Sequence, residues 1–308
     1  MLEDLVRSDE FRDGLVGGVV ALAVVLGVVW VARRSGRAGV LGLAGPAVVV
    51  AALVVLHPLA QSVLDARFVG GLVVLAVGAN ATRWLGWPLW IGALAVVPGA
   101  GLVATSTDIA DIELGWVRVV TFIAIVLGAA LVPEFDRENA RAGLGPVLLP
   151  VTALGIYTTV PDTEQALVLV GVTVPLALLG WPKPWASLGA AGAAATVGLV
   201  AWTASVGGSA RPGAIVGAMA CLGVMTLEPV VLLLFGRRRP PAPTSPWSSG
   251  VVVVVALHIA LVLFVSLAAG REISARAATG ISAAGFAGAA VALAIVLALR
   301  RPSATGPG

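Results

Sequence analysis

The sequence predicts an all-α fold: a polytopic integral membrane bundle of about eleven transmembrane helices. Of its 308 residues, 59% are hydrophobic and 11% are charged, which leaves too few polar side chains to solvate a globular surface. The apolar residues form long runs separated by short polar segments. Prolines such as Pro150 and Pro175 lie inside these runs, where a membrane helix accommodates them if neighbouring groups satisfy the freed carbonyls.

A helix that crosses the bilayer needs about 20 mostly apolar residues, and this length divides the chain into eleven predicted spans. The first 13 residues are acidic, unlike the basic start of a signal peptide, so we expect the first span to be retained. The third and seventh spans are short, and their complete crossing stays open. The spans are Gly14–Ala32, Gly39–His57, Phe68–Thr82, Pro88–Thr105, Gly115–Val132, Leu144–Thr159, Gln165–Gly180, Ser187–Val206, Ala214–Phe235, Val251–Ala269 and Ala277–Leu299.

The distribution of charge predicts the orientation, because basic residues concentrate in cytoplasmic segments. With the N-terminus outside and the C-terminus inside, most of the 19 basic residues lie in the cytoplasm and most of the 16 acidic residues lie outside. Lys183 is the only lysine, a bias typical of GC-rich bacterial genomes, so we expect a multi-pass protein of a bacterial inner (plasma) membrane. The cytoplasmic basic residues are Arg33, Arg34, Arg37, Arg83, Arg137, Arg141, Lys183, Arg237, Arg238, Arg239, Arg300 and Arg301.

Tryptophans and small residues give two further expectations. Tryptophans near the predicted span ends are typical of an aromatic belt at the membrane surface. Small residues at four-residue spacing, as in Gly280, Ala284 and Gly288, predict a closely packed helix face. The belt tryptophans are Trp84, Trp87, Trp90, Trp116, Trp181, Trp185, Trp202 and Trp247.

Short sequence motifs that recur at a near-constant offset predict a parallel duplication of a four-helix unit. The motif Leu-Gly-Trp-Pro occurs at residues 85–88 and again at 179–182. The predicted repeats are residues 39–141 and 142–236, followed by a Pro/Arg-rich cytoplasmic linker at 237–250, all within one transmembrane domain. Many transporters are built from such repeats, but duplicated bundles also serve as scaffolds, because fold alone does not give function.

Glu228 and His258 are the intramembrane residues most able to carry chemistry. Glu228 is the only acidic residue inside a predicted span, where an ionised carboxylate costs about 2.5–3.5 kcal/mol. His258 lies at a similar depth on the next, antiparallel span, roughly 13 Å from the cytoplasmic boundary. Pro229 frees the carbonyl of Met225 beside the glutamate. The pair is interpreted as a proton- or cation-coupling site, and a neutral glutamate hydrogen-bonded across helices is the alternative.

Two acidic extracytoplasmic loops form the second candidate. Asp162 and Glu164 flank Thr163 in one loop, and Asp108, Asp111 and Glu113 lie in the other. Such oxygens bind divalent cations when several converge, and they also hydrogen-bond polar head groups. Acidic pairs in such loops are also found in membrane transferases that use lipid-linked sugars. The alternative is a pair of solvated turns.

Motif and residue counts exclude most enzyme classes. The sequence contains no nucleophile elbow, phosphate-binding Gly-Lys loop, zinc-spaced histidines or dinucleotide fingerprint. With two histidines and one cysteine, we predict no catalytic residues, no metal centre and no cofactor. Nucleic acid is excluded as a partner, since the arginines are scattered between apolar runs.

The leading functional hypothesis is a transporter or flippase-like carrier for a small or lipid-linked substrate of the cell envelope. Its partners are the lipid bilayer and that substrate. A non-catalytic subunit or scaffold of an envelope-assembly complex, bound to other membrane subunits, is the alternative. An integral-membrane transferase acting on a polyprenyl-linked substrate is the third.

The predicted orientation can be tested by cysteine labelling in intact cells. Cysteines introduced at Ser8 and Thr163 should react with an impermeant thiol reagent, because both positions are predicted outside. A cysteine at Ser303 should react only after permeabilisation. Labelling at Ser303 but not at Ser8 in intact cells would reverse the orientation.

Overall fold

The computed structural model describes residues 2–36, 39–59, 65–106, 114–160, 163–207, 211–235, 247–272 and 274–299, and most of these are helical. Short 3₁₀ turns cover Ala140–Ala142, Ala177–Leu179 and Ala269–Arg271. The α-helices are α1 (Leu2–Arg7), α2 (Asp9–Arg34), α3 (Ala44–Leu59), α4 (Ala66–Leu85), α5 (Leu89–Thr105), α6 (Leu114–Asn139), α7 (Leu144–Thr159), α8 (Glu164–Leu176), α9 (Ala190–Gly207), α10 (Pro212–Ala220), α11 (Val224–Phe235), α12 (Ser249–Leu267) and α13 (Ala275–Leu299).

Five helices of the described chain are long and apolar enough to cross a membrane: α2, α4, α6, α12 and α13. A sixth candidate is the pair α10 and α11, which are bent by 57° at the break between them. These helices support a membrane protein. The count of eleven crossings is not confirmed, because the remaining helices are shorter than a bilayer-spanning helix requires.

The short helices lie in the centre of the bundle. Helices α7 to α10 are buried along nearly their whole length, and α9 contacts every helix from α3 to α8 as well as α10. Helix α8 has 13 residues and is therefore about 20 Å long. A helix enclosed by protein need not match the hydrocarbon thickness, because its ends meet polar protein groups rather than lipid.

Backbone contacts at glycines hold α2 against α8. A Cβ atom at Gly14 would lie 2.6 Å from the carbonyl oxygen of Val168, and one at Gly18 would lie 2.6 Å from that of Val172. Larger side chains would therefore separate the two helices. This is the close packing that small residues permit in membrane bundles.

The start of α3 is fixed against the segment that leads into α9. The amide of Ala44 donates to the carbonyl of Ser187 at 2.9 Å. A Cβ at Gly45 would lie 2.6 Å from the Leu188 carbonyl, so the glycine permits this contact. Residues 39–43, which the sequence predicted to be helical, are therefore not part of α3.

Two sequence predictions about packing are wrong. The face formed by Gly280, Ala284 and Gly288 is exposed, and nothing lies within 4 Å of a Cβ at Gly280 or Gly288. Trp202 is fully buried and stacks on Phe68 with ring centroids 4.5 Å apart. Composition and spacing could not reveal that this face of α13 is exposed while Trp202 of α9 is enclosed.

The duplication stays a prediction. Helix α4 packs along α5, whereas α8 and α9, their counterparts in the second predicted repeat, have few contacts with each other. The two halves of the chain therefore differ in how consecutive helices pair. Most of the predicted linker lies outside the described residues, and α12 begins at Ser249, inside the range assigned to it.

The contact between α2 and α8 makes different predictions for two glycines of the same helix. Gly18→Leu should destabilise the protein by about 1–3 kcal/mol, because the side chain must displace the α8 backbone. Gly27→Leu is the matched control, since a Cβ at Gly27 has open space around it. Thermal unfolding in detergent, followed by circular dichroism, measures both. Equal losses in the two variants would contradict the packing described.

Candidate functional site

His258 is buried in the middle of α12 and holds the start of α11. The backbone amide of Val224 donates to its Nδ1 at 3.3 Å, and its Nε2 lies 3.2 Å from the hydroxyl of Thr152. Because Nδ1 accepts a hydrogen bond, the ring proton is on Nε2 and the imidazole is neutral. His258 thus satisfies one of the amides that every helix start leaves without an intrahelical partner.

The break between α10 and α11 is shaped to admit this histidine. Gly223 has φ of +49°, a left-handed conformation that costs glycine little. A Cβ at Gly223 would lie 2.9 Å from Nδ1 of His258, closer than a side chain allows. Glycine is therefore required here both for the turn and for the approach of the imidazole.

Glu228 lies one helical turn beyond Val224 and is 3% exposed. Its Oε2 accepts a hydrogen bond from Nδ2 of Asn139 at 3.3 Å, and the same Nδ2 donates to the Phe135 carbonyl at 3.0 Å. Glu228 and His258 therefore lie near the same helix start but have different hydrogen-bond partners there. Their action as one coupling site stays a prediction.

The end of α6 is a cluster of polar residues that the sequence analysis missed. The helix continues seven residues past the predicted end at Val132 and finishes with Glu134–Asn139, here called the polar turn. Arg137 pairs with Glu134 at 2.6 Å and with Glu138 at 3.0 Å. Glu228 is thus not the only acidic residue in an apolar helix, since the polar turn contributes a buried one.

That residue is Asp136, which is 1% exposed and caps the start of α9. One carboxylate oxygen accepts the amide of Leu188 at 2.9 Å and the other accepts that of Gly189 at 2.9 Å. The hydroxyl of Ser187 is also hydrogen-bonded to the carboxylate, and Arg83 attracts it electrostatically. A carboxylate is favoured at a helix start, where amides and the helix dipole present positive charge.

The segment before α9, residues 185–189, has a partner for each of its backbone amides. Trp185 and Ala186 both donate to the carbonyl of Leu179, at 2.7 and 3.2 Å. Ser187 donates to the carbonyl of Leu41 at 2.8 Å, and the next two amides reach Asp136. Non-helical backbone is tolerated inside a membrane protein only when it is satisfied in this way.

Two adjoining clefts open beside the polar turn. One, of about 150 Å³, lies between α4, α6 and the start of α5, and includes Arg83, Glu134 and Arg137 in its lining. The other, of about 240 Å³, lies between α6 and α11. It is lined by Glu138 and Pro229, the chain neighbours of Asn139 and Glu228. The clefts therefore bring solvent-accessible charge next to the buried glutamate.

The acidic loops that the sequence predicted to be extracytoplasmic are only partly within the described residues. Asp108, Asp111, Glu113 and Asp162 lie outside them. Glu164 is the exposed first residue of α8, whereas Thr163 is buried. A cysteine that reports on this turn therefore belongs at position 164 rather than 163. Among the described residues, no three His, Cys, Asp or Glu side chains are close enough to hold a metal ion.

Comparisons of the chain with protein-family models, with curated proteins and with solved structures find no match. Glu228 and His258 are both buried ionisable residues. Glu228 contacts the end of α6 through Asn139, and His258 contacts the start of α11. A change of protonation at either residue would alter a contact between helices.

The capping role of Asp136 predicts a large effect of a small substitution. Asp136→Asn keeps the shape but places an amide group against one of the two backbone amides. It should destabilise the protein by about 1.5–3 kcal/mol, the contribution of hydrogen bonds to a charged group. Glu134→Gln is the control in the same turn, because it removes only a partly exposed ion pair worth about 0–1 kcal/mol. Chemical denaturation in detergent measures both, and equal effects would exclude the cap.

Proposed function

We propose that this protein is an eleven-span carrier of a bacterial inner membrane, with its N-terminus outside and its C-terminus in the cytoplasm. It moves a small or lipid-linked substrate of the cell envelope and couples that movement to protons through Glu228 and His258. The observation that supports this most directly is the buried break between α10 and α11, where His258 accepts the Val224 amide and Glu228 lies one helical turn beyond.

A broken helix deep in a bundle is a recurring device of transporters. Their substrate and ion sites lie where membrane helices are interrupted, because the exposed helix ends offer unsatisfied amides and carbonyls. Here the break spans Cys221–Gly223, and the amide that it exposes at Val224 is bonded to His258. Two predicted parallel repeats of four helices would put this break in the last span of the second repeat.

Protonation of His258 would change the geometry at the break. A proton on Nδ1 would face the Val224 amide, so that two donors would oppose each other and their hydrogen bond would be lost. The start of α11 would then need another acceptor. Proton binding and the position of α11 are thereby linked through one hydrogen bond.

Protonation of Glu228 has a matching partner in Asn139. The Oδ1 of Asn139 is buried and has no hydrogen-bond partner among the described residues. A neutral Glu228 carboxyl offers a donor for that oxygen, whereas the ionised form has no proton to offer it and accepts from Nδ2. The glutamate can therefore be accommodated in either charge state, as a coupling residue requires.

A series of polar groups leads from the clefts into the bundle. Glu138 lines the cleft beside α11, and the next residue, Asn139, is hydrogen-bonded to Glu228. One turn away along α11, the Val224 amide contacts His258. This series would bring protons from the predicted cytoplasmic side as far as Glu228, one helical turn from the amide that His258 accepts.

The tight glycine packing favours the second candidate, a non-catalytic membrane subunit. Backbone contacts between α2 and α8 at Gly14 and Gly18 limit relative movement of these helices. A subunit needs a stable shape, while a carrier must move. The two candidates differ in whether Glu228 exchanges protons during function.

The carrier proposal predicts a charge displacement that depends on Glu228. The full chain is reconstituted in liposomes on a solid-supported membrane, and a rapid change of pH is applied without any substrate. The wild type should give a transient current as Glu228 gains or loses its proton. Glu228→Gln should lose most of that current and still fold, because glutamine keeps the hydrogen bond with Asn139.

Asp9→Asn is the matched control, since Asp9 is exposed and far along the chain from the break. It should leave the current unchanged. A wild-type protein that gives no transient above protein-free liposomes would favour the subunit over the carrier. A current that survives in Glu228→Gln would assign the proton to a different group.

A further inference from the structure

Two cations share one tryptophan at the end of α2. The guanidinium of Arg33 lies 4.3 Å from the ring centroid of Trp185, and the ammonium of Lys183 lies 5.4 Å from it. Both distances are within the range of cation–π attraction. Helix α2 thus ends against the segment that precedes α9, and two positive charges that are 150 residues apart in sequence converge there.

No carboxylate balances this pair in the described part of the chain. The salt bridges there involve Asp9, Asp65, Glu134 and Glu138, and none of them includes Arg33 or Lys183. Both basic residues are exposed. Like charges brought together without a counter-ion repel each other, so an external anion that joins them is stabilised.

A long apolar groove leads away from this cluster between α2 and α3. It has a volume of about 670 Å³ and includes Val20, Val24 and Val28 of α2 and Val50 and Val54 of α3 in its lining. These valines are largely exposed. The groove therefore presents to the membrane a concave strip with the shape and chemistry of a seat for a hydrocarbon chain.

The cationic cluster lies beyond one end of the groove. Val28, at one end of the groove, precedes Arg33 by five residues, or about 7.5 Å along the helix. On the other wall, Leu43 lines the groove, and Leu41 pairs with Ala186 next to Trp185. The far end of the groove is at Asp13 and Pro58, so the positive charge lies at one end only.

We propose that Arg33, Lys183 and Trp185 bind the head group of an anionic phospholipid whose acyl chain lies in the groove between α2 and α3. A phosphate diester complements the two cations, and the apolar strip accommodates the chain below it. Arginine and lysine near the membrane surface recognise anionic lipids in this way. The predicted orientation puts the site in the cytoplasmic leaflet.

Native mass spectrometry of the full chain in detergent tests the site. Binding of phosphatidylglycerol and of phosphatidylcholine with the same acyl chains is titrated and compared. The wild type should prefer phosphatidylglycerol. Each basic residue at an anionic head group contributes about fivefold in affinity, so Arg33→Gln with Lys183→Gln should weaken phosphatidylglycerol binding roughly 25-fold and leave phosphatidylcholine binding nearly unchanged.

The control for charge is Arg67→Gln with Arg276→Gln, which removes two exposed arginines near the starts of α4 and α13, on the opposite predicted side of the membrane, and should keep the preference. A second control concerns the groove and compares Val50→Trp with Val73→Trp. Val73 lies on α4, outside the groove, and is about as exposed as Val50. Only Val50→Trp should weaken both lipids, because it fills the groove without touching the cations.

Three results would overturn the proposal. The wild type binding both lipids equally would exclude a head-group site, and it requires no variant to fold. Retention of the preference in the Arg33 and Lys183 double variant would place the anion elsewhere. Displacement of phosphatidylglycerol by inorganic phosphate at equal concentration would show a simple phosphate site that does not use the groove.

Discussion

The hydrogen bonds of Asp136 to the amides of Leu188 and Gly189 are the interaction on which the arrangement of the bundle depends. Helix α9 is the central helix and contacts most of the others, yet it begins after an extended segment inside the protein. Unsatisfied amides there would each cost about 1–3 kcal/mol. The carboxylate removes that cost and joins α6 to α9, which lets the remaining helices pack around them.

The same solution occurs at the second helix that begins inside the bundle. Helix α11 starts at the break after α10, and the imidazole of His258 accepts the amide of Val224. In both places a side chain from a helix distant in sequence completes the helix start. The difference lies in the chemistry of the cap: Asp136 accepts two amides through a carboxylate, whereas His258 accepts one through a neutral imidazole. Under the proposed function, the second cap is the one whose hydrogen bond a proton would break.

The sequence predicted the helical class, because hydropathy reports length and apolarity directly. It placed Glu228 and His258 at a similar depth on consecutive antiparallel spans, but it treated Ala214–Phe235 as one span and did not predict the helix start at Val224. It did not predict Asp136, because the length rule ended the fifth span at Val132 and treated the following acidic residues as a loop. The segment Glu-Phe-Asp-Arg-Glu-Asn did indicate that the helix continues past Val132, because its polar residues recur at helical spacing. Which of them faces inward depends on α9, and single-sequence patterns carry no information about that contact.

The two helix caps form at different stages of synthesis, because their partners lie at different places in the chain. Every partner of the segment before α9 precedes it in sequence: the carbonyls of Leu41 and Leu179 and the carboxylate of Asp136. When a chain is made from its N-terminus and its parts assemble in that order, α9 meets a completed set of acceptors. His258 lies in α12, 34 residues after Val224, so the hydrogen bond at the break can form only after α12 is made. The last helices to insert thereby complete the contacts at the centre of the bundle, and the C-terminal third of the protein determines when its centre is finished.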